Sequence, residues 1–251
     1  MFNVTVDGKA VSVKEGSTIL DAAQAASVSI PTLCWMKDLN EIGSCRICVV
    51  ETEGDDALSA ACNTPVRDGM NINTRSPRVI AARRENMRTI LEGHRSECTT
   101  CERSGTCALQ RTAAELNVGE LDFDPVFAFE AWDEDFPLQR DASKCIRCGR
   151  CVVECAKVQH CSVWDFKGPS AFRGITVRDG KEISEAGCAL CGQCITHCPT
   201  GALTARNDIA KILDALADPD TMTVIQFAPA IRAAWGEVME LTHEEATPGR
   251  M

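Results

Sequence analysis

The chain has 251 residues, of which 45% are hydrophobic and 25% are charged, a composition typical of folded globular proteins. Its net charge of −10 argues against nucleic acid as a partner, because phosphate binding needs surfaces rich in lysine and arginine. The sequence contains neither a long apolar run nor a secretory signal, so a membrane span and export are not expected. It does contain 16 cysteines. In the cytoplasm, the expected location, cysteines at this density are more often metal ligands than disulfides.

Residues 1–76 are expected to form a small ferredoxin-like domain. Alternating apolar and polar residues around an Asp-Gly pair predict a β-hairpin over residues 2–13. Ser17 or Thr18 is expected to cap a short helix after it, and further strands complete a β-grasp pattern. Four cysteines with C-x10-C-x2-C-x13-C spacing lie on the predicted loops: Cys34, Cys45, Cys48 and Cys62. Four such thiolates can hold a [2Fe–2S] cluster, the alternative being a structural zinc ion.

A second group of candidate ligands follows a predicted helix. The helix is expected to begin after Ser76, with Pro77 in its first turn, and to end at Gly93. One side of it is expected to be apolar, with Ile80 among its residues, while Arg83 and the other arginines lie mostly on the remaining sides. The pattern H-x3-C-x2-C-x5-C comes next, in His94, Cys98, Cys101 and Cys107. These residues are expected to bind a [4Fe–4S] cluster in a small helical domain, residues 77–120. Because imidazole is neutral, this cluster should be easier to reduce than one bound by four thiolates.

An acidic and aromatic segment separates the second group from the next cysteines. Residues 121–139 are expected to form an ordered linker that packs its aromatic side chains on the neighbouring domains. The alternative is an acidic strip on which a partner docks.

Residues 140–206 contain the pattern C-x2-C-x2-C-x3-C twice, and Pro199 follows the second copy. This is the signature of a two-cluster ferredoxin, in which the last cysteine of each run binds the other cluster. One expected ligand set is therefore Cys145, Cys148, Cys151 and Cys198. The other is Cys155, Cys188, Cys191 and Cys194. The distance between the two runs also predicts an insertion around residues 160–183.

The number of candidate ligands matches four clusters. One [2Fe–2S] and three [4Fe–4S] clusters need sixteen protein ligands, which fifteen cysteines and His94 supply. Cys161 is left over and is expected to be a small buried side chain. No nucleotide-binding, zinc-protease or nucleophile motif occurs in the sequence. The chain is therefore expected to relay electrons without a substrate-converting site of its own.

The cysteine groups carry a family resemblance. The first is similar to the N-terminal [2Fe–2S] domain of the large iron–sulfur subunit of complex I, and the order of all four resembles the electron-transfer region of [FeFe]-hydrogenases. Residues 207–251 are expected to form a helix, a buried strand over 221–227 and a second helix that begins near Pro229. The stretch 227–237 resembles the start of the [FeFe]-hydrogenase catalytic domain. The cysteine motifs that hold the active-site cluster of that family are absent from these 251 residues.

The resemblance implies an α+β protein with a β-grasp [2Fe–2S] domain, a small helical [4Fe–4S] domain with one histidine and three cysteine ligands, a two-cluster ferredoxin domain and a C-terminal strand–helix stub. It implies an electron-transfer subunit of a cytosolic NAD(P)-linked complex of the electron-bifurcating hydrogenase, formate dehydrogenase or transhydrogenase type. Implied partners are a flavoprotein that binds FMN and NAD(P), a small [2Fe–2S] subunit, and a hydrogenase or formate dehydrogenase catalytic subunit or a ferredoxin. Two alternatives are a truncated [FeFe]-hydrogenase catalytic subunit and a zinc-stapled interaction protein.

Overall fold

The structure, a computed structural model, describes residues 1–119, 130–168, 174–226, 228–242 and 244–246. The chain divides into two compact units, residues 1–206 and 207–251. Among the helices of the described ranges, none combines the length and the apolar character that crossing a bilayer requires.

A mixed five-stranded sheet forms the N-terminal region, in the order β2-β1-β5-β3-β4. Its strands are β1 (Phe2–Val6), β2 (Lys9–Val13), β3 (Val49–Thr52), β4 (Ser59–Ala60) and β5 (Asn71–Asn73). β1 and β2 form the predicted hairpin, while β1 pairs with β5 in parallel. Helix α1 (Ile19–Ala25) packs on this sheet and buries its apolar residues. The predicted cap is confirmed at Thr18, whose hydroxyl accepts from the Asp21 amide while the Asp21 carboxylate accepts from the Thr18 amide.

Two helices carry the second cysteine group between them. Helix α2 (Pro77–Glu92) begins as predicted, because the Ser76 hydroxyl accepts a hydrogen bond from the Val79 amide. It ends at Gly93, as the sequence predicts. Helix α3 (Ala108–Glu115) follows the last cysteine of the group.

Arg83 differs from the sequence-based expectation that the arginines of α2 lie mostly on its polar sides. Its side chain is buried, and its Nε and Nη2 atoms donate to the Val49 carbonyl over 3.1 and 2.8 Å. Ile80, expected on the apolar side, is 39% exposed instead. A guanidinium can satisfy a carbonyl beneath the helix that an aliphatic side chain would leave unpaired, which explains why the arginine faces inward.

The two-cluster region is built from short elements. They are β6 (Leu138–Arg140), α4 (Arg150–Val153), β7 (Trp164–Lys167), β8 (Gly174–Val177), α5 (Gln193–His197) and β9 (Leu203–Ala205). β6 pairs antiparallel with β9, and β7 with β8. The β7–β8 pair lies where the sequence predicts an insertion. A π-helical turn over Glu154–Val158 continues α4.

The predicted linker is partly described. Residues 120–129 lie outside the described part of the chain, and with them part of the predicted acidic strip. Beyond them, Trp132 stacks on Trp164 with ring centroids 5.9 Å apart, and Phe136 packs on the same core. The expectation that aromatic residues of the linker pack on the cluster region is thus confirmed for these two.

The second unit contains helices α6 (Ile209–Ala217) and α7 (Pro229–Val238). The N-cap residue of α6 is Asp208, and the side chain of Asn207 before it accepts a hydrogen bond from the Ile209 amide over 3.1 Å. The buried strand expected over 221–227 is wrong for residues 221–226, which form no strand in the structure. Val224 and Ile225 are 83% exposed, so these apolar residues have not been buried against a neighbouring strand. Residue 227 lies outside the described part.

Candidate iron–sulfur sites

The first site consists of the four cysteines of the N-terminal region, all of which are buried. Hydrogen bonds join their sulfur atoms in two pairs. The thiol of Cys45 lowers the pKa of Cys34 to about 6, and that of Cys62 lowers the pKa of Cys48 to about 7. The pKa values of the two donors, Cys45 and Cys62, are raised correspondingly. Four buried sulfur atoms within mutual reach are a suitable donor set for iron.

The backbone around the first site is tightly folded. Arg46, between Cys45 and Cys48, has a left-handed φ of 53°. Such residues turn successive amides toward one side, which suits sulfur acceptors. Gly43 has a φ of 65°, and a Cβ atom there would lie 2.7 Å from the side-chain nitrogen of Asn63. Only glycine fits this loop without displacing its neighbour.

The second site begins at His94, which is buried directly after α2. Its Nδ1 atom lies 3.0 Å from the carbonyl oxygen of Lys144, and since a carbonyl can only accept, Nδ1 carries the proton. Burial lowers the pKa of the imidazole, which favours its neutral form. The Nε2 lone pair is then available, as in most metal-binding histidines.

The cysteines of the second site lie against a segment of the two-cluster region. The thiol of Cys107 donates to the Pro199 carbonyl over 3.5 Å. A Cβ atom at Gly201 would come within 2.8 Å of the sulfur of Cys101. Cys98 lies beside Cys101, whose amide bonds to the Cys98 carbonyl over 3.4 Å. All three cysteines are half-buried.

Thr200 connects the second site to the third. Its hydroxyl donates over 2.9 Å to the Lys144 carbonyl, the same oxygen that accepts from His94. The same hydroxyl lies 3.7 Å from the sulfur of Cys198. Two predicted ligands of different clusters therefore share one hydrogen-bonded bridge.

The cysteines of the two runs surround two cavities in the crossed arrangement that the sequence predicts. We call the first cavity the third site, which is narrow, about 20 Å³, and lined by Cys145, Cys148, Cys151 and Cys198. The second is the fourth site, about 270 Å³, lined by Cys155, Cys188, Cys191 and Cys194 together with Cys161. Each cavity thus combines three cysteines of one run with the last cysteine of the other. That these cysteines bind iron stays a prediction.

The loops of the third and fourth sites repeat the same backbone geometry. Arg147 and Leu190 occupy the same position in their runs, with left-handed φ values of 57° and 53°. Gly149 and Gly192, two residues further on, have φ values of 75° and 71°. The alternation turns backbone amides toward the cavity, the concave arrangement found at many iron–sulfur sites. At Gly149 a Cβ atom would also lie 2.6 Å from the ring of Phe166.

The electrostatics of these two sites suit a cationic occupant. Burial raises the pKa values of Cys145, Cys148 and Cys151, and of Cys188 in the fourth site. It raises the pKa of Cys194 to about 11. Several thiolates could be held together here only with compensating positive charge, which the iron of a cluster would provide. The residues present therefore fit [4Fe–4S] clusters.

Among the described residues, no three side chains of histidine, cysteine, aspartate or glutamate converge as ligands of a single metal ion. The four ligands of a cubane cluster bind four different iron atoms and need not meet that spacing.

Asn40 connects the first site to the third, a role that the sequence did not predict. It is fully buried, and its Nδ2 atom donates to the carbonyls of Cys34 and Cys148 over 2.8 and 2.9 Å. Arg150 adds a bond over 3.0 Å to the carbonyl of Trp35. Nothing in the local pattern marks Asn40, because its partners lie 6 and 108 residues away.

Trp164 connects the third site to the fourth and was also missed. Its side chain is 1% exposed and lines both cavities. It donates a hydrogen bond to the sulfur of Cys194, which offsets part of the rise in that thiol's pKa. The third site is thus in contact, through single buried residues, with each of the other three.

Three family models match consecutive parts of the chain. The 2Fe-2S iron-sulfur cluster binding domain matches residues 1–77. The NADH-ubiquinone oxidoreductase-G iron-sulfur binding region matches 83–121, and the 4Fe-4S dicluster domain matches 144–202. Both kinds of cluster domain that the cysteine spacing predicts are therefore present.

Known hydrogenases resemble the chain over most of its length. The NADP-reducing hydrogenase subunit HndD of Solidesulfovibrio fructosivorans is 38% identical over 100% of this chain and 44% of its own. Iron hydrogenase 1 of Clostridium pasteurianum is 32% identical over 96% of this chain and 42% of its own. The chain thus spans less than half the length of these relatives. A crystal structure of an NAD+-reducing [NiFe]-hydrogenase matches with a TM-score of 0.73 and 29% identity, covering 82% of this chain and 87% of that one. The chain belongs to the family of iron–sulfur proteins that includes these hydrogenase subunits and the G subunit of NADH-ubiquinone oxidoreductase.

Proposed function

We propose that this chain is the iron–sulfur electron-transfer subunit of an NAD(P)-linked oxidoreductase complex. It would hold one [2Fe–2S] cluster at the first site and three [4Fe–4S] clusters at the second, third and fourth. These clusters would supply reversible one-electron transfer, while the protein fixes their spacing and tunes their potentials.

The observation that carries the proposal is the central position of the third site. Asn40 joins it to the first site, Thr200 to the second and Trp164 to the fourth. The sites are therefore linked as a branched set, in which the third site is connected to each of the other three. Buried contacts of this kind exclude water between neighbouring centres.

The proposed partners follow from the relatives. Their names describe reduction of NADP or NAD+, which supports a flavoprotein partner that binds FMN and NAD(P). A small [2Fe–2S] subunit, and a hydrogenase or formate dehydrogenase subunit or a ferredoxin, are the other proposed partners. The cytosolic location remains a prediction from cysteine content.

The proposed domains are a β-grasp domain over 1–76, a [4Fe–4S] domain with one histidine and three cysteine ligands over 77–120, a linker over 121–139 and a two-cluster ferredoxin domain over 140–206. The spans of the three family models support this division. Residues 207–251 form the proposed C-terminal stub.

Anaerobic purification of the full chain, followed by iron and sulfide analysis, tests the proposal. We expect about 14 iron atoms per chain and, after full reduction, distinct paramagnetic signals from one [2Fe–2S] and three [4Fe–4S] clusters. Photoreduced free FMN should reduce them, and cytochrome c should reoxidise them. Only two paramagnetic species, or clusters that accept no electrons, would contradict the four-cluster relay.

A second candidate function is that the chain represents the first part of a hydrogenase catalytic subunit. The match to HndD covers the whole chain and so extends through 207–251, which the three family models leave uncovered. The test is the coding sequence after residue 251. Downstream cysteine motifs for an active-site cluster would favour this candidate, and a stop codon would exclude it for this chain.

A further inference from the structure

The cavity of the fourth site is lined by five cysteines, one more than a [4Fe–4S] cluster needs. The fifth is Cys161, whose spacing fits none of the predicted ligand sets. It is half-buried, where a small buried side chain was expected. Its thiol makes a long contact, 3.4 Å, with the Gln159 carbonyl.

The local fold directs Cys161 back toward Cys155. After the π-helical turn, the amides of Cys161 and Ser162 both donate to the Cys155 carbonyl, over 3.0 and 3.1 Å. His160 and Ser162 have left-handed φ values of 56° and 54°, which reverse the chain on each side of Cys161. Turns of the π type are frequent at functional sites.

Cys155 has the better position for an ordinary ligand. It is 9% exposed, and its sulfur accepts a hydrogen bond over 3.3 Å from the Val163 amide, the kind of contact that stabilises a cluster thiolate. Cys161 lacks such a bond among the described contacts. Both residues interact electrostatically with Cys188, so both lie within reach of the same part of the cavity.

We infer that Cys161 is a reserve ligand of the fourth-site cluster and replaces Cys155 when that thiolate is lost. In this exchange the bond between iron and the Cys155 sulfur breaks and that thiolate takes up a proton from solvent, while Cys161 releases its proton to solvent and forms the replacing sulfur–iron bond. The charge and the ligand number of the cluster are unchanged. The inference rests on the proposed function, since it requires a cluster at the fourth site.

The third site provides a matched control within the same molecule. Cys198 is the counterpart of Cys155, as the last cysteine of the opposite run. The residues that line the third-site cavity in the described part of the chain include no fifth cysteine. When Cys198 is lost, no further cysteine of this cavity should be able to replace it as a ligand.

The test compares iron and sulfide contents of anaerobically purified full-length variants. We expect about 14 iron atoms in the parent, in Cys161→Ala and in Cys155→Ala, but about 10 in the double variant and in Cys198→Ala. If Cys155→Ala also falls to about 10, the reserve-ligand inference is wrong while the four-cluster function stands. A parent with fewer than about 14 iron atoms would instead contradict the proposed function.

Alkylation provides a second measurement that does not depend on folding of the double variant. Iodoacetamide should modify Cys161 in the holo parent, where this thiol binds no iron, and mass spectrometry locates the label. In holo Cys155→Ala we expect that labelling to fall by about tenfold, because an iron-bound thiolate is protected. Equal labelling in both proteins would overturn the inference.

Discussion

The indole of Trp164 places a hydrogen-bond donor at a sulfur atom of the fourth site. A donor at a ligand sulfur stabilises the more negative, reduced cluster and so raises its reduction potential. Trp164→Phe keeps the ring and removes the donor. With about 1 kcal/mol for the lost bond, the fourth-site potential should fall by about 40 mV in a redox titration followed by electron paramagnetic resonance.

Trp132→Phe is the control for that change. Trp132 stacks on Trp164, but its Nε1–H donates to the Leu138 carbonyl over 2.8 Å and to no sulfur. Its replacement should leave the fourth-site potential unchanged. Equal shifts in the two variants would show that ring packing, rather than the N–H···S bond, sets the potential.

His94 allows a second prediction about a single residue. His94→Cys should retain the second-site cluster but lower its potential by on the order of 100 mV, because a thiolate adds a negative charge that imidazole lacks. The measurement is the same redox titration, made on a variant whose iron content equals that of the parent. An unchanged potential would mean that His94 does not bind iron.

The candidate ligands could be predicted from sequence because each cysteine run is a local pattern with fixed spacing. Asn40 and Trp164 could not, since each acts across segments that only the folded chain brings together. For the same reason the sequence predicts only a small buried side chain at Cys161. Its spacing fits no ligand motif, yet the fold returns it to the fourth-site cavity.

At the scale of elements, the loop between α5 and β9 lies against a cysteine of the second site. Residue 201 is a glycine, and any larger residue there would place its Cβ atom 2.8 Å from the sulfur of Cys101. Gly201→Ala should therefore displace a second-site ligand, and iron content should fall from about 14 toward about 10 atoms per chain. Gly119→Ala is the control, because a Cβ atom there meets nothing within 4 Å. Full iron content in Gly201→Ala would show that the loop can move aside.

Local sequence patterns predict some elements correctly and one strand wrongly. The cap at Ser76 and the hairpin of β1 and β2 depend on neighbouring residues and are predicted correctly, while Thr18 is one of the two caps that the sequence predicts for α1. The strand expected over 221–227 depended on a partner strand that local hydrophobicity cannot reveal. Apolar residues without such a partner remain exposed in residues 221–226.

At the scale of the whole molecule, the N-terminal sheet domain and the two-cluster region share a hydrophobic core that includes cysteines of both. One core contains Cys34 and Cys45 of the first site together with Cys148 of the third, packed with Met87 of α2. Asn40 is a buried polar connection across this core, and Arg150 adds hydrogen bonds to the carbonyls of Cys34 and Trp35. The Asn40 amide should therefore contribute to holding the first and third sites in their relative position.

Asn40→Ala tests this connection. It leaves the buried carbonyls of Cys34 and Cys148 without the Asn40 donor, at a cost of about 1–3 kcal/mol for each acceptor that finds no other partner. We expect a lower denaturant midpoint for the holo chain, measured by circular dichroism under anaerobic conditions, and faster loss of iron to a chelator. Asn71→Ala is the control, because its amide donates over 2.9 Å to Glu53 in an exposed position. If the two variants unfold at the same midpoint, the Asn40 bridge contributes nothing to the junction, and apolar packing together with the Arg150 hydrogen bonds must maintain the spacing between the first and third sites.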